Sequence, residues 1–172
     1  MPPNERPVIY SIGHSRHPME TFLALLRKHR IDLVADVRGQ PWSRHNPQYN
    51  RERLEASLKA GAIAYSWRGE YLSGRPKGWA FHGPAGEVLW EILRRWPALN
   101  RALDALINDT ETRRIAMMCA EEDPNRCHRR FLLTPLLLAR GASVEHIRGD
   151  GRLENEEALQ GGEGPNQISL FP

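Results

Sequence analysis

The chain has 172 residues, of which 40% are hydrophobic and 26% charged, a composition typical of one globular domain and not of a disordered or fibrous protein. Its two cysteines are too few for a disulfide scaffold, and no apolar run approaches the roughly 20 residues of a membrane-spanning helix. The chain also does not open with a cationic segment followed by an apolar one, so we expect a cytoplasmic protein with reduced thiols and no membrane partner.

The net charge of +3 is unevenly distributed along the chain. Residues 1–149 carry 23 basic and 16 acidic side chains, whereas residues 150–172 carry one basic and five acidic ones. Of the 24 basic residues 21 are arginines, whose planar guanidinium binds phosphate or carboxylate through two parallel hydrogen bonds. Arginine content also rises with genomic base composition, so the charge favours a phosphate-bearing partner only slightly.

The hydrophobic pattern alternates between the period of a strand and that of a helix. It predicts, in chain order, a strand over 8–12, a helix over 18–29, a strand over 31–37, a helix over 51–60, a strand over 62–67, helices over 87–96 and 98–108, a strand over 113–119, a helix over 126–140 and a strand over 143–147. Pro135 should kink the last helix. Such alternation predicts an α/β fold: a single domain with a mostly parallel, Rossmann-like sheet of about five strands and helices on both faces.

Polar side chains stand at the carboxyl ends of the predicted strands. In an open parallel sheet this edge is where ligands bind. Asp36 and Cys119 lie inside apolar runs, where a carboxylate needs a partner. We therefore predict a functional pocket at this edge, with His14, Asp36, Cys119 and Glu121 as its acid–base or nucleophilic residues.

The two cysteines lie eight positions apart, in "CAEEDPNRC", and four interpretations of them remain open. They are packing in the core, a zinc site, a redox pair and a functional thiol. No paired C-x2-C spacing supplies four zinc ligands, so we assign no metal and no cofactor. Cys119 faces a predicted helix that begins with Cys127, His128 and Arg129, which together would lower a thiol pKa. Glu121 is the alternative base, with Cys119 only packing.

Four segments resemble the signature blocks of a bacterial and archaeal family called domain of unknown function 488. They are "YSIGHSRHPMETFLALL", "DVRGQPWSRHNPQYN", "EYLSGR" and "MCAEEDPNRCHRR", and the similarity spans residues 8–148. The resemblance implies a small cytoplasmic α/β domain and no assigned reaction. It maps the family's positions onto Gly13, His14, Ser15, Asp36, Arg38, Pro41, Asn46, Pro47, Asn50, Glu70, Cys119, Glu121, Cys127, His128 and Arg129. One departure is Ser73-Gly74, where the family often has Gly-Gly.

The resemblance and the strand ends together suggest which residues bind the ligand. We predict that they are Ser15, Arg38, Asn46, Glu70, Cys127, His128 and Arg129. Arg38 and Arg129 would hold an anionic group. A weaker likeness to rhodanese-type domains is disfavoured, because the acidic, proline-containing loop between the cysteines is a poor cradle for an anion.

Two long predicted loops, residues 39–50 and 68–86, interleave arginine with tryptophan and tyrosine. Unpaired bases stack on such mixtures, and loops of this length are often functional. The alternative is that the aromatic residues fasten the loops to the domain. We predict an enzyme-like domain that acts on a nucleotide or nucleic-acid substrate, specifically DNA. The rival hypothesis is a non-catalytic adaptor that binds nucleic acid or protein through these loops and the C-terminal peptide.

The predicted domain covers residues 1–149, and residues 150–172 have the polar, acidic, glycine-rich composition of a flexible tail. Near its end the tail contains "QISLF". This peptide resembles the Q-L-[SD]-L-F sequence with which bacterial DNA polymerases and repair proteins bind the sliding clamp.

In that resemblance Ile168 replaces the usual leucine. Leu170 and Phe171 would enter an apolar cleft of the clamp, while Gln167 would supply a polar contact. A flexible tether would then hold the domain at high effective concentration beside DNA. The alternative is that these apolar side chains fold back onto the edge of the sheet.

We expect the intact chain to bind purified bacterial sliding clamp, and a form that lacks residues 167–172 to lose that binding. Titration of the clamp with each form measures the difference. Equal binding by both forms, or none by the intact chain, would show that the peptide is not a clamp ligand.

Overall fold

The structure is a computed structural model that describes residues 6–156. Within this range the chain forms a six-stranded sheet. The strands are β1 (Val8–Gly13), β2 (Leu33–Asp36), β3 (Ala64–Trp67), β4 (Ile115–Cys119), β5 (Ser143–Ile147) and β6 (Leu153–Asn155). Their order is β3-β2-β4-β1-β5-β6, and all neighbours pair in parallel except β5 and β6. The prediction of a mostly parallel α/β sheet is confirmed.

In the described part of the chain, six α-helices accompany the sheet and cover both of its faces. They are α1 (Met19–Lys28), α2 (Arg51–Ala60), α3 (Gly69–Leu72), α4 (Trp90–Arg94), α5 (Pro97–Asp109) and α6 (Thr134–Leu138). Successive strand residues point to opposite faces: Val34 packs on the side of α1 and α2, whereas Leu33 and Ala35 pack on the side of α4, α5 and α6. The strands are apolar on both faces because both are covered. Within residues 6–156, no helix combines the length and apolar character needed to cross a bilayer.

The position of β4 explains where a crevice opens. The chain first builds β1, β2 and β3, and then returns through α5 to insert β4 between β1 and β2. After β1 the chain enters α1 on one face, and after β4 it enters α6 on the other. The two connections therefore diverge above the β1–β4 pair, and such a switch point is where open α/β sheets bind ligands.

The predicted helix over 126–140 is not one regular helix, which corrects that prediction. A wide π-helical turn, Arg129–Leu133, precedes α6. Pro135 has no N–H with which to bond the carbonyl of Phe131, and that carbonyl accepts a hydrogen bond from Arg94 instead, at 3.3 Å. The hydroxyl of Thr134 donates to the Arg129 carbonyl at 2.7 Å. Pro135 thus changes the helix through a widened turn, a form of irregularity that often occurs at functional sites.

Three other segments differ from the sequence-based expectation. The loop predicted over 68–86 contains the short helix α3. The predicted helix over 87–96 begins only at Trp90, because Val88 pairs as an extended residue with His82. In addition, the segment assigned to the tail begins with β6, which pairs antiparallel with β5. Residues 157–172 of the predicted tail, with Gln167, Ile168, Leu170 and Phe171, lie outside the described residues.

Candidate functional site

A cleft with a volume of about 1050 Å³ lies at the carboxyl ends of the strands. Three of the four residues predicted to be catalytic line it: His14, Cys119 and Glu121. Of the residues predicted to bind the ligand, Ser15, Arg38, Asn46, Cys127 and His128 line it as well. The predicted edge of the sheet therefore does hold a cleft.

Three predicted site residues do not line the cleft. Asp36 and Arg129 are only 0% and 1% exposed and lie beneath its floor. Glu70 is exposed, on α3, outside the cleft. Asp36 and Arg129 can therefore influence a ligand only through the side chains that they contact.

Asp36 is held in what we call the Asp36 cluster: Asp36, Arg38, His14, Tyr49 and Tyr65. The Arg38 guanidinium donates to both Asp36 oxygens, from Nε at 2.9 Å and from Nη2 at 2.7 Å. The Tyr65 hydroxyl donates to the same carboxylate at 2.8 Å, and burial is the main cause that raises the Tyr65 pKa. A buried ion pair is tolerated when hydrogen bonds complete it in this way. Asp36 is thus the counter-ion of Arg38.

His14 is a neutral member of the Asp36 cluster. Its Nδ1 lies 2.8 Å from the Ser15 carbonyl, to which only an N–H can donate. Its Nε2 then carries the lone pair and accepts from Arg38 at 3.3 Å, while the ring stacks on Tyr49 with centroids 4.1 Å apart. Burial, helped by the nearby Arg38 charge, lowers the His14 pKa to about 4. At neutral pH this ring is uncharged and orients Arg38.

On the other side of the floor lies what we call the thiol cluster: Cys119, Cys127, His128 and Arg129. Nδ1 of His128 lies 3.9 Å from the Cys119 sulfur and 3.7 Å from the Cys127 sulfur. Nε2 of His128 lies 3.1 Å from the Leu72 carbonyl and must carry the proton to donate there, so the Nδ1 lone pair faces both sulfurs. Both cysteines are free thiols.

Within the thiol cluster, the buried Arg129 side chain is the main hydrogen-bond donor. Its guanidinium donates from Nε to the Cys127 sulfur at 3.1 Å, from Nη1 to the Ser11 hydroxyl at 3.3 Å, and from Nη2 to the Glu121 carbonyl. The Ser11 hydroxyl also contacts Nδ1 of His146 at 2.6 Å. A buried guanidinium with three protein acceptors is a positioning residue and has no nitrogen directed at a ligand in the cleft.

The two sulfurs titrate as a pair. The hydrogen bond from Cys119 is the main cause that lowers the Cys127 pKa far below its ordinary range, and His128 and Arg129 act in the same direction. The Cys119 pKa is raised by that same hydrogen bond and by burial. The two pKa shifts are opposite in direction because one sulfur donates to the other, so they are properties of the pair.

The walls of the cleft carry cations that sequence reasoning only partly identified. They are the exposed side chains of Arg16, Arg75, Lys77 and Arg126. None of the four forms an ion pair or a side-chain hydrogen bond with the residues described here. By contrast, the acidic Glu122 of the same cleft is neutralised by Arg148 at 3.0 Å. The free charge in the cleft is therefore mainly positive.

Aromatic side chains complete the walls. Trp42 is 63% exposed, and Trp90 packs edge-to-face on Phe131 with ring centroids 4.9 Å apart. All three line the cleft. The loop prediction included Trp42, but Trp90 and Phe131 were assigned to helices, and no signal in the sequence indicated that they reach the site.

The model of one protein family, described as Domain of unknown function DUF488, matches residues 18–136, more than half of the chain. The chain belongs to the DUF488 family. The resemblance drawn from the sequence is confirmed in that range, which contains both cysteines, whereas His14 and Ser15 precede it. No curated protein and no solved structure matches the chain.

The Ser73-Gly74 departure from the usual DUF488 sequence keeps the glycine where the fold needs it. A Cβ at Gly74 would lie 2.6 Å from Cβ of His128, closer than real contacts allow. Ser73 is buried, and its hydroxyl accepts from the backbone N–H of Arg75 at 3.0 Å. The second glycine therefore lets the loop approach His128, and the serine stabilises the next turn.

Replacing Arg129 should destabilise this DUF488 domain strongly. Arg129→Met leaves the Cys127 sulfur and the Glu121 carbonyl without the guanidinium that donates to them, so we expect the free energy of unfolding to fall by about 3 kcal/mol or more. Arg126→Met removes an exposed charge three residues away and should change it by less than about 0.5 kcal/mol. Urea unfolding at pH 7 measures both values. Similar small effects of the two substitutions would contradict the role given to Arg129.

Two buried histidines should make stability depend on pH. Burial lowers the pKa of His14 to about 4 and of His146 to about 3. The unfolded chain therefore binds protons below pH 6.5 that the folded chain excludes. Their stabilisation is complete above pH 6.5 and falls with pH towards those values, by about 1.4 kcal/mol per pH unit for each histidine.

The expected slope is measured by urea unfolding between pH 7 and pH 5, above the range where most carboxylates titrate. His146→Gln should remove roughly one histidine's share of the slope. His45→Gln, which replaces an exposed imidazole, should keep the wild-type slope. An unchanged slope in His146→Gln would refute the assignment.

Proposed function

We propose that this protein is an enzyme that acts on a nucleic acid or nucleotide bound in the cleft, with DNA as the expected substrate. One observation carries the proposal: unpaired cations and aromatic side chains surround the thiol cluster at the carboxyl ends of the strands. In this proposal the cations bind phosphate, the aromatic side chains stack on bases, and the thiol cluster supplies the reactive groups, all within one cleft.

The cations favour a ligand with more than one phosphate. Arg16, Arg75, Lys77 and Arg126 come from three segments of the chain and line one cleft. The cleft volume of about 1050 Å³ also reaches the upper end of the ~300–1,000 Å³ usual for small-molecule pockets. A short stretch of nucleic acid fits this set of cations and this cleft volume better than a small metabolite does.

The aromatic residues favour unpaired bases. The exposed Trp42 can stack on a base, and stacking contributes roughly 1–3 kcal/mol per base without reading sequence. Trp90 is held by its contact with Phe131. A single strand or a base rotated out of a duplex can reach such side chains, whereas a base inside a duplex cannot.

The thiol cluster favours catalysis over binding alone. A guanidinium buried beside a cysteine sulfur costs free energy to desolvate and is not needed for binding alone, and such polar clusters concentrate at active sites. Cys119 and His128 face the cleft, and Glu121 is the carboxylate placed to exchange a proton with a bound ligand. Asp36 keeps the positioning role given above.

The adaptor hypothesis has one observation in its favour. Trp79 is 89% exposed and lies outside the cleft, where it can contact a second macromolecule. The cytoplasmic location and the clamp partner expected from the sequence remain part of the proposal in either case. The two hypotheses differ in whether the bound nucleic acid is changed chemically.

The proposal predicts that the protein binds labelled single-stranded DNA and that the cleft cations contribute. The double variant Arg75→Gln/Lys77→Gln should raise the dissociation constant at least about tenfold, since each charge-assisted hydrogen bond contributes roughly 1.5 kcal/mol or more. It should also make binding less dependent on salt. Fluorescence anisotropy at several salt concentrations measures both effects.

The matched control is Arg27→Gln/Lys59→Gln, which removes the same charge from the last turns of α1 and α2. Equal weakening by both pairs would place binding outside the cleft. Mass spectrometry of the DNA after incubation then separates the hypotheses. A mass change that is lost in Glu121→Gln supports an enzyme, and unchanged DNA supports the adaptor.

A further inference from the structure

The side chains of the thiol cluster direct three ligand atoms at one point. The sulfurs of Cys119 and Cys127 and Nδ1 of His128 all lie within 4.8 Å of one another, and the two sulfur–nitrogen distances are 3.9 and 3.7 Å. In a tetrahedral zinc site with bonds of about 2.3 Å to sulfur and about 2.0 Å to nitrogen, these atoms stand roughly 3.6 Å apart. The two sulfur–nitrogen distances match that spacing to within a few tenths of an ångström.

The imidazole is already in the form that binds a metal. The Leu72 carbonyl accepts a hydrogen bond from Nε2 of His128 at 3.1 Å, which leaves Nδ1 unprotonated and aimed at the two sulfurs. Metal-bound histidines characteristically donate their other N–H to a carbonyl or carboxylate in this way. Gly74 allows the close packing of this ring, because a side chain there would collide with it.

The Cys127 sulfur is also oriented by a hydrogen bond before any metal binds. The Arg129 guanidinium donates to the Cys127 sulfur at 3.1 Å, a contact that orients the sulfur and partly offsets its negative charge. Two thiolates and one imidazole form a soft ligand set that selects zinc over magnesium or calcium. Binding as two thiolates releases the thiol proton of the pair to solvent.

The fourth coordination position faces the cleft. Among residues 6–156, no further histidine, cysteine or carboxylate joins the three ligand atoms, and all three ligand residues line the cleft. Structural zinc sites are closed by four protein ligands, whereas catalytic sites keep three and leave one position for water or substrate. The arrangement is that of the open class.

We propose that Cys119, Cys127 and His128 bind one zinc ion whose fourth position opens into the cleft. The sequence assigned no metal ligand because the cysteine spacing lacks a C-x2-C pair and a fourth ligand would have to come from a distant part of the chain. The proposal rests on the thiol cluster alone, and it is tested without any nucleic acid. Failure of the proposed function would therefore leave the zinc proposal intact. Failure of zinc binding would likewise leave the proposed function intact.

The test uses the full chain, stripped of metal by a chelator under reducing conditions and then titrated with Co²⁺ as a spectroscopic probe. We expect saturation at one equivalent, with near-ultraviolet thiolate-to-cobalt charge transfer and the intense visible bands of tetrahedral cobalt. Zn²⁺ should abolish this spectrum by displacement. Absence of charge transfer at stoichiometric Co²⁺ would overturn the proposal, as would a Cys119–Cys127 disulfide in protein alkylated at lysis.

Ligand variants assign the spectrum to the cluster. Cys127→Ser should halve the charge-transfer intensity and weaken Co²⁺ binding about 100-fold or more, since even outer contacts contribute roughly 10–100-fold. His128→Gln should weaken binding while it keeps the charge transfer of both sulfurs. His45→Gln should match the unsubstituted chain. If a ligand variant does not fold, the wild-type titration still decides, and an unaltered spectrum in a folded Cys127→Ser would overturn the proposal.

Discussion

The buried guanidinium of Arg129 is the contact on which the arrangement of the site depends. It joins the Ser11 hydroxyl of β1, the Glu121 carbonyl after β4 and the Cys127 sulfur. An arginine that is only 1% exposed is tolerated only if its N–H groups find acceptors. Because these acceptors lie on three separate segments, satisfying the charge also sets the distance between the two cysteines.

The same logic connects the floor of the cleft to its walls. The Tyr49 carbonyl, in the segment between β2 and α2, accepts from Arg38 at 2.9 Å, and the Leu72 carbonyl, at the end of α3, accepts from His128 at 3.1 Å. The two clusters meet where the His14 N–H donates to the Cys119 carbonyl at 2.9 Å. Each of these segments is thus hydrogen-bonded to a polar side chain at the strand ends. These hydrogen bonds help to fix the positions of the neighbouring wall residues.

Charge is divided between floor and walls. In the floor of the cleft, Arg38 is neutralised by Asp36, and the Arg129 guanidinium below it donates to the Cys127 sulfur, so the buried groups are paired within the protein. The exposed cations of the walls have no such partners among the described residues. We therefore expect the wall cations to hold an anionic ligand. The sequence had suggested Arg38 and Arg129 for this role. The hydrogen bonds of the floor orient the residues above it.

The sequence by itself determined the α/β sheet and the edge at which the site lies, because strand and helix periods are local properties and strand ends follow from them. Only the tertiary structure decided which side chains face a ligand. Arg129 was expected to bind an anion and is instead enclosed by acceptors up to 118 residues away. The metal-like convergence of Cys119, Cys127 and His128 likewise depends on the carbonyl of Leu72, 56 residues distant from His128. Hydrogen-bond partners so far apart along the chain leave no pattern in the sequence, since only packing brings them together.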